Sequence, residues 1–295
     1  MSEQPTDFPK PTLRHDLAYY MRSLMVDLPN LSLLTRRRWD AVIVTQHHAG
    51  THWLVHMLTE LMADVYDTPR QTDIDDMRVI ARHKEKPAFS HIPAMAHSHK
   101  IPSWLTHAAP LRWGLRYPRY VVLVRDIRTS LVSLYEKHRE EYDVPFSELV
   151  QGDPFRRRFR KDVWRDIRFF NAWGRVKRVM PERLLLLRYE DLKADPASQL
   201  RRVWEHLQLT PVDDDAIARA IENSSKERML AKQDAQLHGR VVRDDPRHAF
   251  EWYTPADQAF FTAVCRRHLR DWFGYRFDDW ELPASPKAPQ ANAEA

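Results

Sequence analysis

The chain has 295 residues, 43% hydrophobic and 11% aromatic, with a formal net charge of +5. This is enough apolar material for a large core in one α/β domain, yet no run of about 18 apolar residues exists that would span a bilayer as a helix. The single cysteine, Cys265, excludes an intrachain disulfide, and the polar start MSEQPTDFPKPTLRH lacks the apolar segment of a secretory signal, so a cytoplasmic location is expected.

Three prolines fall within the first 12 residues, and residues 1–14 are expected to be flexible. Ala41–Thr45 (AVIVT) predicts a buried strand, after which Leu54, Leu58, Leu61, Met62 and Val65 recur at helical spacing. Residues 88–91 (AFSH) are read as a further strand. Residues 120–124 (YVVLV) are another, followed by Ile127, Leu131, Leu134, Tyr135 and His138 on one helical face. Residues 184–187 (LLLL) form the next strand. The helix after it has Asp195 as N-cap, Pro196 at its first position, and Leu200, Val203, Trp204 and Leu207 as its buried stripe. The Pro/Ala-rich tail, residues 282–295, is expected to be disordered. Near-continuous apolar strands followed by helices predict an α/β domain over residues 15–281, with a central parallel sheet flanked by helices. Ligands bind such sheets beyond the carboxyl ends of the strands. The residues just after each strand are therefore the candidates for chemistry.

The first strand runs into Gln46-His47-His48-Ala49-Gly50-Thr51-His52-Trp53-Leu54. The chain holds only six glycines, and one falls between this strand and its helix. Glycine there lets backbone N–H groups close around an anion, and the helix N-terminus adds positive partial charge. Thr51 offers a hydroxyl to a phosphate and Trp53 a face to an adenine. No GxxxxGK[ST] is present, so this is not a Walker A loop. Residues 120–124 lead into Arg125, with Ser133 eight positions further on. An arginine leaving a strand end can pair bidentately with a phosphate. Each feature also has an ordinary structural reading: a plain strand-to-helix turn, an Arg125–Asp126 pair, and Ser133 as a small packing residue.

Taken together, these segments resemble the PAPS-dependent sulfotransferase family. Gly50-Thr51-His52-Trp53-Leu54 is similar to the end of its PKSGTTWL loop, and residues 124–135 (VRDIRTSLVSLY) to its VRDPRDVLVSLY block. Residues 188–196 (RYEDLKADP) reproduce a third block, and Asn223-Ser224-Ser225 with Met229 is a weaker likeness to [HT]TSFxxM. The resemblance covers roughly residues 40–277 and implies a three-layer, P-loop-like fold. It also implies 3′-phosphoadenosine 5′-phosphosulfate (PAPS) as sulfuryl donor, with no metal. Carried over by position, His48, Ala49, Gly50, Thr51, His52 and Trp53 would hold the 5′-phosphosulfate and adenine end. Arg125 and Ser133 would grip the 3′-phosphate, Tyr189 and Ser224 would lie near the adenine, and Arg240 would reach the 3′-phosphate.

The family's general base resembles the histidine of a KTHLP segment at a strand end. Ser90-His91-Ile92-Pro93 and His97-Ser98-His99-Lys100-Ile101-Pro102 both fit, and the strand read at 88–91 favours His91 over His99. Three positions depart from the family pattern. His48 stands where a lysine or arginine usually neutralises the leaving oxygen, so it either works protonated or yields to another cation, with Lys86 and Lys100 as candidates. Phe89 stands where the base segment often carries a lysine, and Lys226 where an aromatic often stacks on adenine. The histidine clusters lack partner ligands at metal spacing, so no metal is expected.

The expected activity is sulfuryl transfer from PAPS to a hydroxyl or amine. The alternatives are a P-loop nucleotide kinase, which the missing Walker lysine disfavours, and a catalytically impaired PAPS-like nucleotide-binding protein, which His48 and Phe89 keep open. The acceptor is a small molecule, lipid or glycan, met by Trp104, Trp113, Tyr142 and Phe146. Short basic clusters such as Arg156-Arg157-Arg158 are read as solvated surface or as a rim for an acidic ligand or membrane. No nucleic acid is expected, since no basic segment is interleaved with stacking aromatics. A homodimer is left open.

Overall fold

Ala41–Thr45 forms strand β1 with all five residues buried, the pattern of a strand covered on both faces. A computed structural model of the chain describes residues 10–27, 39–232 and 248–281. In it β1 is joined by β2 (Ile80–Arg82), β3 (Met95–Ser98), β4 (Arg119–Val124) and β5 (Leu184–Arg188). The five strands are parallel, in the order β2-β3-β1-β4-β5. Side-chain alternation sends successive residues of one strand into two cores. Val42, Val44, Val122 and Val124 enter one core, and Ile43, Val121 and Leu123 the other.

The first core is closed by α4 (Ile127–Tyr142), α5 (Phe146–Gln151), α6 (Val163–Val179) and the helix Pro255–His268, with α1 (Leu13–Asp27) on its outside. The second is closed by α2 (Thr51–Tyr66), α8 (Pro196–His206) and α9 (Asp214–Asn223). Short helices α3 (Ala109–Gly114), α7 (Tyr189–Ala194) and α10 (Lys226–Ala231) complete the connections, which makes Pro255–His268 α11. This is the three-layer arrangement expected from the sequence. Helix α8 starts as its residues predict: Asp195 accepts from the Ser198 N–H, Pro196 takes the first position, and Leu200, Val203 and Trp204 are buried.

One expected strand is overturned. Residues 88–91 form a loop, and the sheet instead takes Met95–Ser98, which pairs with Ala41–Val44. Pro87 and Pro93 bracket that loop, and proline cannot donate to a ladder. Strand β2, three residues long, is too short to leave a sequence signal. Helix α1 begins at Leu13, inside the stretch expected to be flexible, whereas residues 1–9 and 282–295 lie outside the described residues. Because β1 lies between β3 and β4, the residues following these three strands converge on one edge of the sheet.

Candidate active site

The loop after β1 turns on two left-handed residues, His48 (φ 60°) and Gly50 (φ 89°). At Gly50 a side chain is excluded twice over. The backbone conformation favours glycine, and a Cβ would stand 2.8 Å from the Tyr189 ring. Tyr189, at the start of α7, also meets Trp53 edge-on, with ring centroids 6.2 Å apart. The first-turn N–H groups of α2, which have no intrahelical carbonyl to bond, therefore open beside Gly50, Trp53 and Tyr189. Thr51 is buried, with its hydroxyl 2.6 Å from that of Thr45. His52 turns aside, placing Nδ1 3.2 Å from the Ile74 carbonyl and 3.6 Å from Asp75.

Arg125, leaving β4, is locked onto this loop. Its N–H donates to Gln46 Oε1 at 2.8 Å, its Nη1 to the His48 carbonyl at 3.0 Å and its Nε to Thr129 Oγ1 at 2.9 Å. The guanidinium carbon lies 4.6 Å from the Tyr189 ring centroid, and Nη2 bonds to no described residue. Ser133 is half-buried one turn beyond Thr129, on the same face of α4. Asp126 does not pair with Arg125. It caps α4 and holds Arg128 instead.

His99 follows β3 directly and reaches the same loop. Its Nδ1 lies 2.8 Å from the Thr45 carbonyl and 3.0 Å from Thr45 Oγ1. A carbonyl oxygen only accepts, so Nδ1 carries the proton and Nε2 the lone pair. Burial, with His97, Arg165 and Lys161 nearby, pushes the His99 pKa down to about 3, so the ring is neutral near pH 7. The His47 ring stacks on His99, centroids 4.1 Å apart.

Two cations come from the start of α6 and the residues just before it, a region the sequence did not connect to the site. Arg165 Nη2 donates to the His99 carbonyl at 2.9 Å and to His47 Nε2 at 3.2 Å. Lys161, just before the helix, lies near enough to lower the pKa of His47, His48 and His99. Burial lowers both cations, Arg165 to about 10, a value that keeps its guanidinium charged near neutral pH. Asp166, on the same turn of α6 as Arg165, is raised to about 7 chiefly by burial. Burial and the surrounding cations push the His48 pKa well below its ordinary 6.5, and its Nε2 is buried without a partner among the described residues. The positive charge beside the turn thus stands at the entry to α6 and not on His48. Isolated Lys161 and Arg165 carry no motif, and only the packing of α6 brings them here.

Other expected site residues are placed elsewhere. His91 is exposed in the loop before β3, at the opposite edge of the sheet from the β1 turn, so the strand-end argument passes to His99. Phe89, packed edge-on against His91, goes with it, and the position two before the strand-end histidine is His97. Lys86 is exposed near that loop, while Lys100 follows His99 and is lowered by burial, Lys84 and Arg165. Ser224 is buried in the seam between α2 and α9. It donates to the Ala220 carbonyl at 2.7 Å and accepts from His56 Nδ1 at 2.7 Å, so its hydroxyl is not offered to an adenine. Phe146 is a core residue against Tyr253, whereas Trp104 and Trp113 are exposed. Lys226 is exposed at the start of α10. Arg240 lies outside the described residues. Among the described residues no group of three or more His, Cys, Asp or Glu could hold a metal ion.

A glycine turn, a strand-end arginine and a strand-end histidine thus meet on one edge of a parallel sheet flanked by helices. Residues 38–273 match the model of the sulfotransferase domain, and the chain belongs to that family. A flavonol sulfotransferase-like protein of Flaveria bidentis is 30% identical over 110 residues, 36% of this chain and 35% of that protein. The chain thus matches that curated relative over about a third of its length. Mouse sulfotransferase SULT7A1 complexed with PAP superposes with a TM-score of 0.54 at 18% identity, over 83% of this chain and 90% of that one. Retinol dehydratase in complex with androsterone and inactive cofactor PAP gives 0.54 at 13% identity, over 91% and 97%. These two likenesses establish a shared fold.

Proposed function

We propose that the protein transfers the sulfuryl group of PAPS to a hydroxyl or amine of a small-molecule, lipid or glycan acceptor, with His99 as general base. The observation that carries the reading is the hydrogen-bonded convergence of three strand ends: Arg125 bonded to His48, His99 to Thr45, and Gly50 opening the N-terminus of α2. The residues fit the donor. A Cβ-free turn, the orphan N–H groups of a 16-residue helix and an arginine whose Nη2 bonds to no described residue suit two separate phosphates of one nucleotide. The bound complexes of SULT7A1 and retinol dehydratase contain PAP, the product such a donor leaves.

The donor supplies an activated sulfuryl group on a phosphate leaving group. Gly50 and the first turn of α2 hold its 5′ end, while Arg125 and Ser133 hold the 3′-phosphate. His99 Nε2 takes the acceptor proton as the acceptor atom bonds to sulfur and the sulfur–phosphate oxygen bond breaks. Lys161 and Arg165 stabilise the negative charge that grows on the leaving oxygen, the role a lysine would play at position 48. The test is calorimetry with PAP and AMP, followed by PAPS turnover over a panel of phenols, sterols, lipids and glycans. PAP should bind far more tightly than AMP, and Arg125→Ala should abolish that preference. Equal affinity for the two nucleotides refutes the reading, and PAP binding without turnover on any acceptor leaves only a nucleotide-binding role.

A further inference from the structure

Helix α1 is docked with its polarity inverted. Its protein-facing side carries Asp16, which pairs with Arg267 and lies 2.8 Å from His268 Nε2, and His15, which stacks on Trp164 at 5.7 Å. Ala18 and Tyr19 are buried beside them. The outward side is Leu13, Leu17, Tyr20, Met21, Leu24 and Met25, recurring at helical spacing and 46–80% exposed. Most large exposed apolar residues of the described chain stand on this one helix. The fixed inner contacts exclude rotation of the stripe inward, because Asp16 would lose its partners. A contiguous apolar face of this kind marks an interaction surface.

The rim of the face is basic. Arg14 and His15 line a cleft with Phe155 and Arg158, on the loop that enters α6. Phe155 is exposed there, with the Arg157 guanidinium 5.4 Å from its ring centroid. Of the acids nearby, Asp16 is taken by Arg267 and His268, Glu148 by Arg158 at 2.5 Å, and Asp153, which lines the same cleft, accepts the backbone N–H groups of Phe155 and Arg158. Arg14, Arg157 and Arg160 form no ion pair with a described residue. A second copy placed symmetrically on this face would set the same arginines against each other. An anionic headgroup layer offers them opposite charge and takes the leucines and methionines into its acyl boundary.

We propose that the outer face of α1, with the Phe155–Arg160 loop, docks the protein on an anionic lipid bilayer. The experiment is cosedimentation of the full chain with vesicles of phosphatidylcholine alone and of phosphatidylcholine mixed with phosphatidylglycerol, at low and physiological salt. The wild type should bind the anionic vesicles, more weakly as salt rises. Leu17→Glu/Leu24→Glu should weaken binding by at least about tenfold, since both apolar anchors are lost. Arg157→Gln and Arg160→Gln should each weaken it by about fivefold, the effect of one basic residue at a charged surface. Circular dichroism and melting curves confirm that these surface variants fold. Absence of wild-type binding to anionic vesicles overturns the proposal. So does a wild-type dimer, seen by light scattering, that Leu17→Glu/Leu24→Glu converts to a monomer without any vesicle binding, because the face then belongs to a second copy.

Discussion

His99 and His91 show how a single side chain is decided by where its strand ends. Both precede an apolar residue and a proline closely enough to look alike in sequence, but only His99 follows a strand that pairs with β1. Its Nδ1–H is committed to Thr45, so His99→Ala should keep PAP affinity while lowering turnover by about 10²–10⁴-fold, the usual worth of a general base. His91→Ala should change neither, and loss of turnover in that variant instead would return the base to His91. Gly50→Ala tests the turn. The alanine meets both a φ of 89° and the Tyr189 ring at 2.8 Å, and should cost about 1–3 kcal/mol of stability along with much of the PAP affinity. Denaturant unfolding and calorimetry read the two effects separately. The glycine was legible from its place between strand and helix. The crowding by Tyr189 was not, because that residue lies 139 positions away in the chain.

At the level of elements, α6 brings the cations the first loop lacks, and its start is fixed by one carboxylate. Asp162, 1% exposed, accepts from the Arg165 N–H at 3.0 Å and from the Asp153 N–H at 2.8 Å. Asp162→Ala leaves two partly buried donors without their acceptor and should destabilise the protein by about 2 kcal/mol. It should also lower kcat, because Lys161 and Arg165 flank the cap. Arg165→Gln separates the effects: stability should hold within about 1 kcal/mol while kcat falls about 10-fold or more, with PAP affinity nearly unchanged. A fall in PAP affinity with kcat preserved would assign Arg165 to ground-state binding. The same scale explains the strand reading that failed. AFSH has the more apolar lead-in, but prolines on both sides keep it out of a ladder, and the sheet recruits MAHS because β1 offers it a paired edge.

Across the whole molecule, burial of neutral imidazoles sets the response to acid. His56, His97 and His107 are lowered to about 4 and His99 to about 3, in each case chiefly by burial, from the ordinary 6.5. Between those values the unfolded chain carries protons that the fold excludes, so stability falls as pH falls from about 6.5 towards 4. Asp162 and Asp166 work in the opposite direction. Burial raises them to about 6 and about 7 from 3.8, so the fold binds their protons first and gains stability as pH falls through that range. Four imidazoles against two carboxyls leave a net loss, worth roughly 1.4 kcal/mol per pH unit for each net proton. Melting temperatures measured in a pH series should drop steadily from pH 7 to pH 5. A flat or rising curve would mean that these histidines already accept protons in the folded state.

The sequence by itself determined the layered α/β class, the glycine turn, the strand-end arginine and the family, because these rest on short-range patterns: apolar runs, helical spacing and residues adjacent in the chain. The tertiary structure decided which histidine meets the turn, that Ser224 spends its hydroxyl inside a helix seam, and that Lys161 and Arg165 supply charge from α6. It also decided that α1 turns its leucines outward. Those outcomes depend on which elements pack together, and contacts between residues far apart in the chain leave no local pattern to read.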